Sequence, residues 1–259
     1  MLPSKSFLKI EVVNMDTFDA VKFYSQLDKN TYCFLDMASS NPRDFGGGYK
    51  TGASAQEEDL CRRSNLTQVF STMRPPVPTK GGCFVENVVI LRKSKKEEYT
   101  WLPKESWIQG NCIMCAASRK PEVRADNTLA PRFYDEMRAK IRAMLQICLQ
   151  EKQSHLILGA FGCGAYGNPP GEVAKIFRNF LTREYKDKFA RVVFAIIDNR
   201  FTRNKEIFQE VLLGNKSLTT VKPKISHQDK ISIENYIPLG MNPGLAKKKK
   251  KSRRGKTKQ

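Results

Sequence analysis

The stretch Thr31-Tyr-Cys-Phe-Leu-Asp-Met37, Ala38 to Ser54 with Gly46-Gly47-Gly48 inside it, and then Gln56-Glu57-Glu58 decides the fold of this chain. The compact apolar run reads as a buried strand. The Gly-, Ser-, Pro- and Asn-rich segment behind it reads as a loop. The acids that follow suit the positive end of a helix, predicted over 56–73 and stopped by Pro75, Pro76 and Pro78. Three consecutive glycines strip the loop of side chains, so a phosphate or a sugar can approach the peptide closely. A close-approach loop beside a fixed acid is a geometry for cleaving a glycosidic bond on a phosphate-bearing substrate.

The same strand–loop–helix grammar recurs along the chain. Leu8–Val13 alternates and is β-branched, hence a strand, and Asp16-Thr17 caps a helix over 18–27. Strands are predicted over 84–91, 111–117, 155–161 and 191–197. Lys93–Lys104 reads as an exposed loop. Pro131–Gln150 is a helix with Phe133, Met137, Ile141, Met144, Leu145 and Cys148 on one stripe. Further helices are predicted over 171–184 and 203–213. Alternating strands and helices imply an α/β sheet covered on both faces. No linker interrupts residues 8–215, so a single domain is expected.

A second glycine loop, Gly159-Ala-Phe-Gly162-Cys163-Gly164-Ala165-Tyr166-Gly167-Asn168, follows a predicted strand and contains a literal G-x-G-x-x-G. Glycines there can serve a tight connection or a diphosphate. Ligands in open α/β sheets sit at the carboxyl ends of the strands. Both loops lie at such ends, so they are expected to converge on one ligand. Glu at a helix start is common for electrostatic reasons alone, but Ala53, Ser54 and Ala55 leave room for substrate beside Glu57 and Glu58. Consecutive helical residues point about 100° apart; one acid would act on the bond while the other holds a hydroxyl. Tyr166 and Phe201 offer rings to a sugar and a purine, or to the core.

Other chemistries have little support. Cys112-Ile-Met-Cys115 matches C-x-x-C, but positions three apart on a strand face opposite sides, and no second pair has zinc spacing. Two histidines, His155 and His227, make a nucleophilic triad improbable. No P-loop is present. A nicotinamide-dependent oxidoreductase would want its glycine motif early, whereas Gly162-x-Gly164-x-x-Gly167 is late.

The chain has 259 residues, is 40% hydrophobic and carries a net charge of +19. Nothing in it is long and apolar enough to span a membrane, and Met1–Ile10 is a poor signal peptide. Seven cysteines, an odd number, suggest reduced thiols in a cytosolic or nuclear compartment. Nine of the last thirteen residues are Lys or Arg. They read as a flexible basic tail, a nuclear address or a polyanion-binding arm that can touch nucleic acid.

The pattern Gly46-Gly47-Gly48, seven residues, Gln56-Glu57-Glu58 resembles the signature of poly(ADP-ribose) glycohydrolases. The string Gly52-Ala-Ser-Ala-Gln-Glu-Glu-Asp-Leu-Cys-Arg-Arg-Ser-Asn-Leu66 and the loop Gly159–Asn168 resemble the compact microbial-type branch of that family. The resemblance covers roughly residues 8–213. It implies a macrodomain-like mixed β-sheet sandwiched between helices over residues 1–225, with the tail over 226–259, and no cofactor or metal. It implies release of ADP-ribose from polymer, with Glu58 protonating the leaving ribose oxygen and then deprotonating water. Glu57 would hold a ribose hydroxyl. Gly46, Gly47 and Gly48 would contact the diphosphate, as would Gly162, Cys163, Gly164 and Ala165, and Tyr166 would fix the terminal ribose. Asp16 with Thr17 falls where macrodomains meet the adenine amino group; Gln56, Asn168 and Phe201 are further binding candidates. The family places asparagine at the strand end, in a string like Asn-Phe-Ala-Ser, where this chain has Asp36-Met37-Ala38-Ser39; Asn41 is the candidate replacement. The alternatives are a mono-ADP-ribosyl hydrolase or a non-catalytic ADP-ribose reader.

Overall fold

The computed structural model describes residues 8–41, 45–198 and 202–214. All of them fall in one compact unit spanning residues 1–225; the expected tail, 226–259, lies outside the described residues, as does Phe201.

The elements run β1 (Lys9–Val13), α1 (Thr17–Asp28), β2 (Cys33–Met37), α2 (Gln56–Arg63), α3 (Leu66–Phe70), β3 (Cys83–Ile90), β4 (Ile108–Cys115), α4 (Pro131–Gln150), β5 (His155–Leu158), α5 (Pro170–Asn179), β6 (Arg191–Ala195) and α6 (Asn204–Leu213). The strands form one sheet in the order β1-β6-β5-β2-β4-β3. The first five are parallel, and β3 pairs antiparallel with β4 at the edge, with a bulge between Val85 and Val88. The sheet is therefore mixed, as expected.

Two apolar clusters cover its faces. Ile141, Met144, Leu145 and Cys148 of α4, Phe177 of α5 and Phe208 of α6 pack on Leu35, Ile113, Leu156 and Phe194. Phe18 and Val21 of α1, Leu60 of α2 and Leu66 of α3 pack on Phe34, Met114, Ile157 and Val193. A parallel strand buried on both faces must be apolar throughout; this is why β2 reads Cys-Phe-Leu before its one acid, Asp36. Cys112 and Cys115 fall in opposite clusters, and all seven cysteines are free thiols.

The single helix predicted over 56–73 is two. Ser64 is extended, with φ −137°, and its hydroxyl both donates to Leu60 O and accepts from Leu66 N. Asn65 Oδ1 accepts from Val89 N at 2.9 Å, while Arg63 O takes Leu91 N and Arg92 N. The break diverts backbone bonds from the helix to the end of β3, a tertiary demand that outweighs local propensity. Strand β4 starts earlier than expected, at Ile108, because Val88–Ile90 supply partners for Ile108–Gly110. Strand β5 ends at Leu158, ahead of a turn in which Phe161 N bonds Gly159 O.

Candidate active site

The carboxyl ends of four parallel strands open into one cleft of about 640 Å³, lined among others by Asn14, Asp16, Thr17, Met37, Gln56, Ala160, Ala195 and Asp198. This is where the strand-end rule puts a ligand.

Helix α2 lines the cleft with Gln56, Asp59 and Leu60, while Glu57 and Glu58, on the same helix, are not among the lining residues. Gln56, at its first turn, clamps β2 with its side-chain amide: Oε1 accepts from Met37 N at 2.9 Å, and Nε2 donates to Leu35 O at 2.6 Å and to Thr17 Oγ1 at 3.1 Å. Gln56, expected as a ligand contact, thereby fixes the helix start on the strand, and it lines the cleft. Glu57 Oε2 accepts from Ser39 N at 2.8 Å, and its Oε1 accepts from Gly46 N at 2.9 Å. The resemblance implies a ribose hydroxyl for Glu57; both its oxygens accept from backbone amides at the two ends of the first glycine loop. Glu58 differs. Its Oε1 accepts from Gly48 N at 3.1 Å, while its Oε2 is buried with no hydrogen-bond partner among the described residues. Of the two acids, Glu58 is the one with an uncommitted oxygen.

The glycines are required by different things. Gly46 and Gly47 have φ of +82° and +53°, and a Cβ on Gly47 would run into Glu58 Oε1 and stand 3.1 Å from Glu57 Oε2. Gly47→Ala is expected to lower kcat about thirtyfold by pushing the Glu58 carboxyl out of register. Thermal melting measured alongside the kinetics should move by only a few degrees. In the second loop, Gly162 has φ +72°, and a Cβ there would stand 2.5 Å from the Ala117 methyl. Gly164 has open space where a Cβ would go, so packing makes no demand for glycine there.

The two loops meet. Ser40 N, in the first, donates to Tyr166 Oη, in the second, at 2.9 Å, and Lys120 N donates to Tyr166 O at 2.8 Å. Asn168, an expected ligand contact, is buried and braces the loop: its Nδ2 donates to Ser118 O and Gly162 O, both at 2.9 Å. Cys163 Sγ turns back toward Phe161 O at 3.6 Å, and burial pushes its thiol pKa up. Ala165 is exposed on the loop tip. Asn41 is exposed beside Ser39, whose Oγ accepts from Asn41 N at 3.1 Å.

Asp16 lines the cleft but is already engaged. Its Oδ1 caps α1 by accepting from Asp19 N at 2.8 Å and pairs with Arg63 Nη1 at 2.9 Å. Arg63 is buried and also reaches Asp59 at 3.1 Å and Asp19 at 3.1 Å. Sequence reasoning missed Arg63; the Asp59-x-x-x-Arg63 spacing on a helix was the available signal.

The family model for the microbial-type PARG catalytic domain matches residues 3–80. The poly(ADP-ribose) glycohydrolase of Deinococcus radiodurans, solved in complex with ADP-ribose, is 30% identical, with 80% of this chain and 85% of that one covered and a TM-score of 0.66. The chain belongs to the poly(ADP-ribose) glycohydrolase family. The Thermomonospora curvata glycohydrolase bound to the inhibitor ADP-HPD, 24% identical over 78% of each chain with a TM-score of 0.65, shares the fold. No curated protein matches the chain. The matched residues 3–80 hold the first glycine loop and both acids of α2, so the family's signature and the uncommitted Glu58 oxygen coincide.

Proposed function

We propose that this glycohydrolase cleaves the ribose–ribose O-glycosidic bond of poly(ADP-ribose) and releases ADP-ribose, with Glu58 as its general acid and base. The observation that carries this is the asymmetry of the two acids: Glu57 takes a backbone amide on each oxygen, from Ser39 N and Gly46 N, while Glu58 takes one on Oε1 alone, from Gly48 N. Glu58 gives its proton to the leaving ribose oxygen as the C–O bond breaks through an oxocarbenium-like state, then takes one from the attacking water. Amides of the two glycine loops grip the diphosphate, whose charge lies near the developing cation. Asp16 and Thr17 take the adenine end. Incubation with poly(ADP-ribose) and with mono-ADP-ribosylated protein, reading free ADP-ribose, tests this: release from polymer is expected, and binding without release would leave a reader.

Tyr166 joins the loops through its hydroxyl. Tyr166→Phe removes the acceptor for Ser40 N, at about 1 kcal/mol, and KM for polymer is expected to rise about fivefold with a smaller change in kcat. The nine basic residues of the last thirteen support a further part of the reading: the tail guides the enzyme to polyanions, nucleic acid included, and serves as a nuclear address. Its removal should flatten the salt dependence of polymer binding.

A further inference from the structure

Asp36 is the one acid of β2, and it is wholly buried. Neither of its carboxyl oxygens has a hydrogen-bond partner among the described residues. Gln56 clamps the peptides on both sides of it, at Leu35 O and Met37 N, so the side chain lies under the first turn of α2. Glu57 and Glu58 on that helix act on it, and the thiols of Cys61 on α2 and of Cys112 and Cys115 on β4 share its electrostatic environment. The groups acting on Asp36 are therefore two further carboxyls and no cation, and the nearby thiols are held neutral by burial. An ionised carboxylate without a donor, beside two more acids and no cation, has nothing to offset its lost hydration. Burial first, then Glu57 and Glu58, hold its pKa well above the carboxylate range.

A neutral carboxyl needs an acceptor for its proton. Glu57 already takes a backbone N–H on each oxygen. Glu58 Oε2 is buried and takes none from the described residues. We infer that Asp36 is a positioning residue that stays a neutral carboxylic acid through turnover and directs its O–H to the uncommitted Glu58 oxygen, directly or through one water. That bond strengthens when Glu58 has given its proton to the leaving oxygen and become a carboxylate, so it stabilises the charge where it forms. Asp36 neither gains nor loses a proton in the cycle; the proton that moves is Glu58's. This rests on the glycohydrolase reading above, and it adds an alkaline liability: once Asp36 ionises, the donor is gone and a third negative charge sits beneath the acids.

The test compares Asp36→Asn, an amide of the same shape that keeps a donor and cannot ionise, with Asp36→Leu, which has none. In pH profiles of kcat, Asp36→Asn is expected to hold its activity further into the alkaline range than wild type. Asp36→Leu is expected to lose at least tenfold in kcat with KM within about twofold. Superimposable profiles of wild type and Asp36→Asn, or equal kcat for the two variants, would overturn the inference. A second readout needs no turnover. An acid with its pKa raised on folding adds stability that is complete below the unfolded pKa and fades as pH rises toward the folded one. Wild type should therefore lose ground to Asp36→Asn in urea unfolding as pH rises from about 4, by up to about tenfold in the folding equilibrium constant per pH unit. A stability difference that does not change with pH would show Asp36 ionised and sink the idea. If wild type proves inactive on every ADP-ribosylated substrate, the glycohydrolase reading fails, while the unfolding comparison still decides the state of Asp36.

Discussion

Glu58→Gln is expected to lower kcat on poly(ADP-ribose) by about 10³-fold, roughly 4 kcal/mol in the barrier, while leaving the affinity for ADP-ribose within a few-fold of wild type. The substitution keeps the shape of the side chain and an oxygen able to accept from Gly48 N, now at 3.1 Å, so the first glycine loop retains its anchor. What disappears is a group that can donate a proton to the leaving oxygen and then recover one from water. Glu57→Gln is a useful contrast. One of its oxygens becomes an NH₂ facing either Ser39 N or Gly46 N, donor against donor, so the loop loosens and binding suffers along with rate. Isothermal titration with ADP-ribose beside polymer kinetics separates the two. Parallel losses of affinity and rate in Glu58→Gln would place that acid in the binding scaffold and move the chemistry elsewhere.

The order of strands and helices was readable because most elements announce themselves twice, by periodicity and by punctuation. Helix α4 carries its stripe of Met137, Ile141, Met144, Leu145 and Cys148 to full burial, and Asp16 caps α1 as its position implied. The break at Ser64-Asn65 was not readable. Gln56–Met73 has helical periodicity throughout, and only the distant strand β3 supplies the partner, Val89 N, that draws Asn65 out of a helix. The site divided in the same way. Glycine loops and adjacent acids are local strings, so both loops and the Glu57-Glu58 pair stood out from spacing, while the choice of Glu58 over Glu57 came from the family resemblance alone. Which Glu is committed to backbone amides, and that Asn168 Nδ2 ties its own loop at Gly162 O to Ser118 O, depends on where Ser39 and Ser118 fold. Asp36 was legible as a departure from the resemblance. That it stands buried and unpartnered follows from β2 lying in the middle of a covered sheet, which one strand's sequence does not reveal.

Arg63→Met is expected to destabilise the fold by about 3 kcal/mol or more, the larger structural effect among the substitutions considered. The guanidinium is buried, with its side chain only 4% exposed, and it holds Asp16 at 2.9 Å and Asp59 at 3.1 Å. Asp19, itself half exposed, completes the cluster at 3.1 Å and contributes less through solvent screening. Burial works against the arginine's charge, but Asp16, Asp59 and Asp19 outweigh it and hold its pKa above the ordinary value. Methionine keeps much of the stem that packs near Phe18, whose ring centre lies 5.3 Å from the guanidinium carbon, so the loss is chiefly electrostatic. Removing the cation leaves three carboxylates gathered at the junction of α1 and α2 with no positive partner among these four side chains. Because Asp16 lines the ligand cleft, the same substitution should weaken ADP-ribose binding beyond what unfolding explains. Urea denaturation measured with and without saturating ADP-ribose decides the matter. A drop in stability of less than about 1 kcal/mol would mean that the cluster is screened, and an unchanged ligand-induced shift would mean that Asp16 takes no part in holding the adenine end.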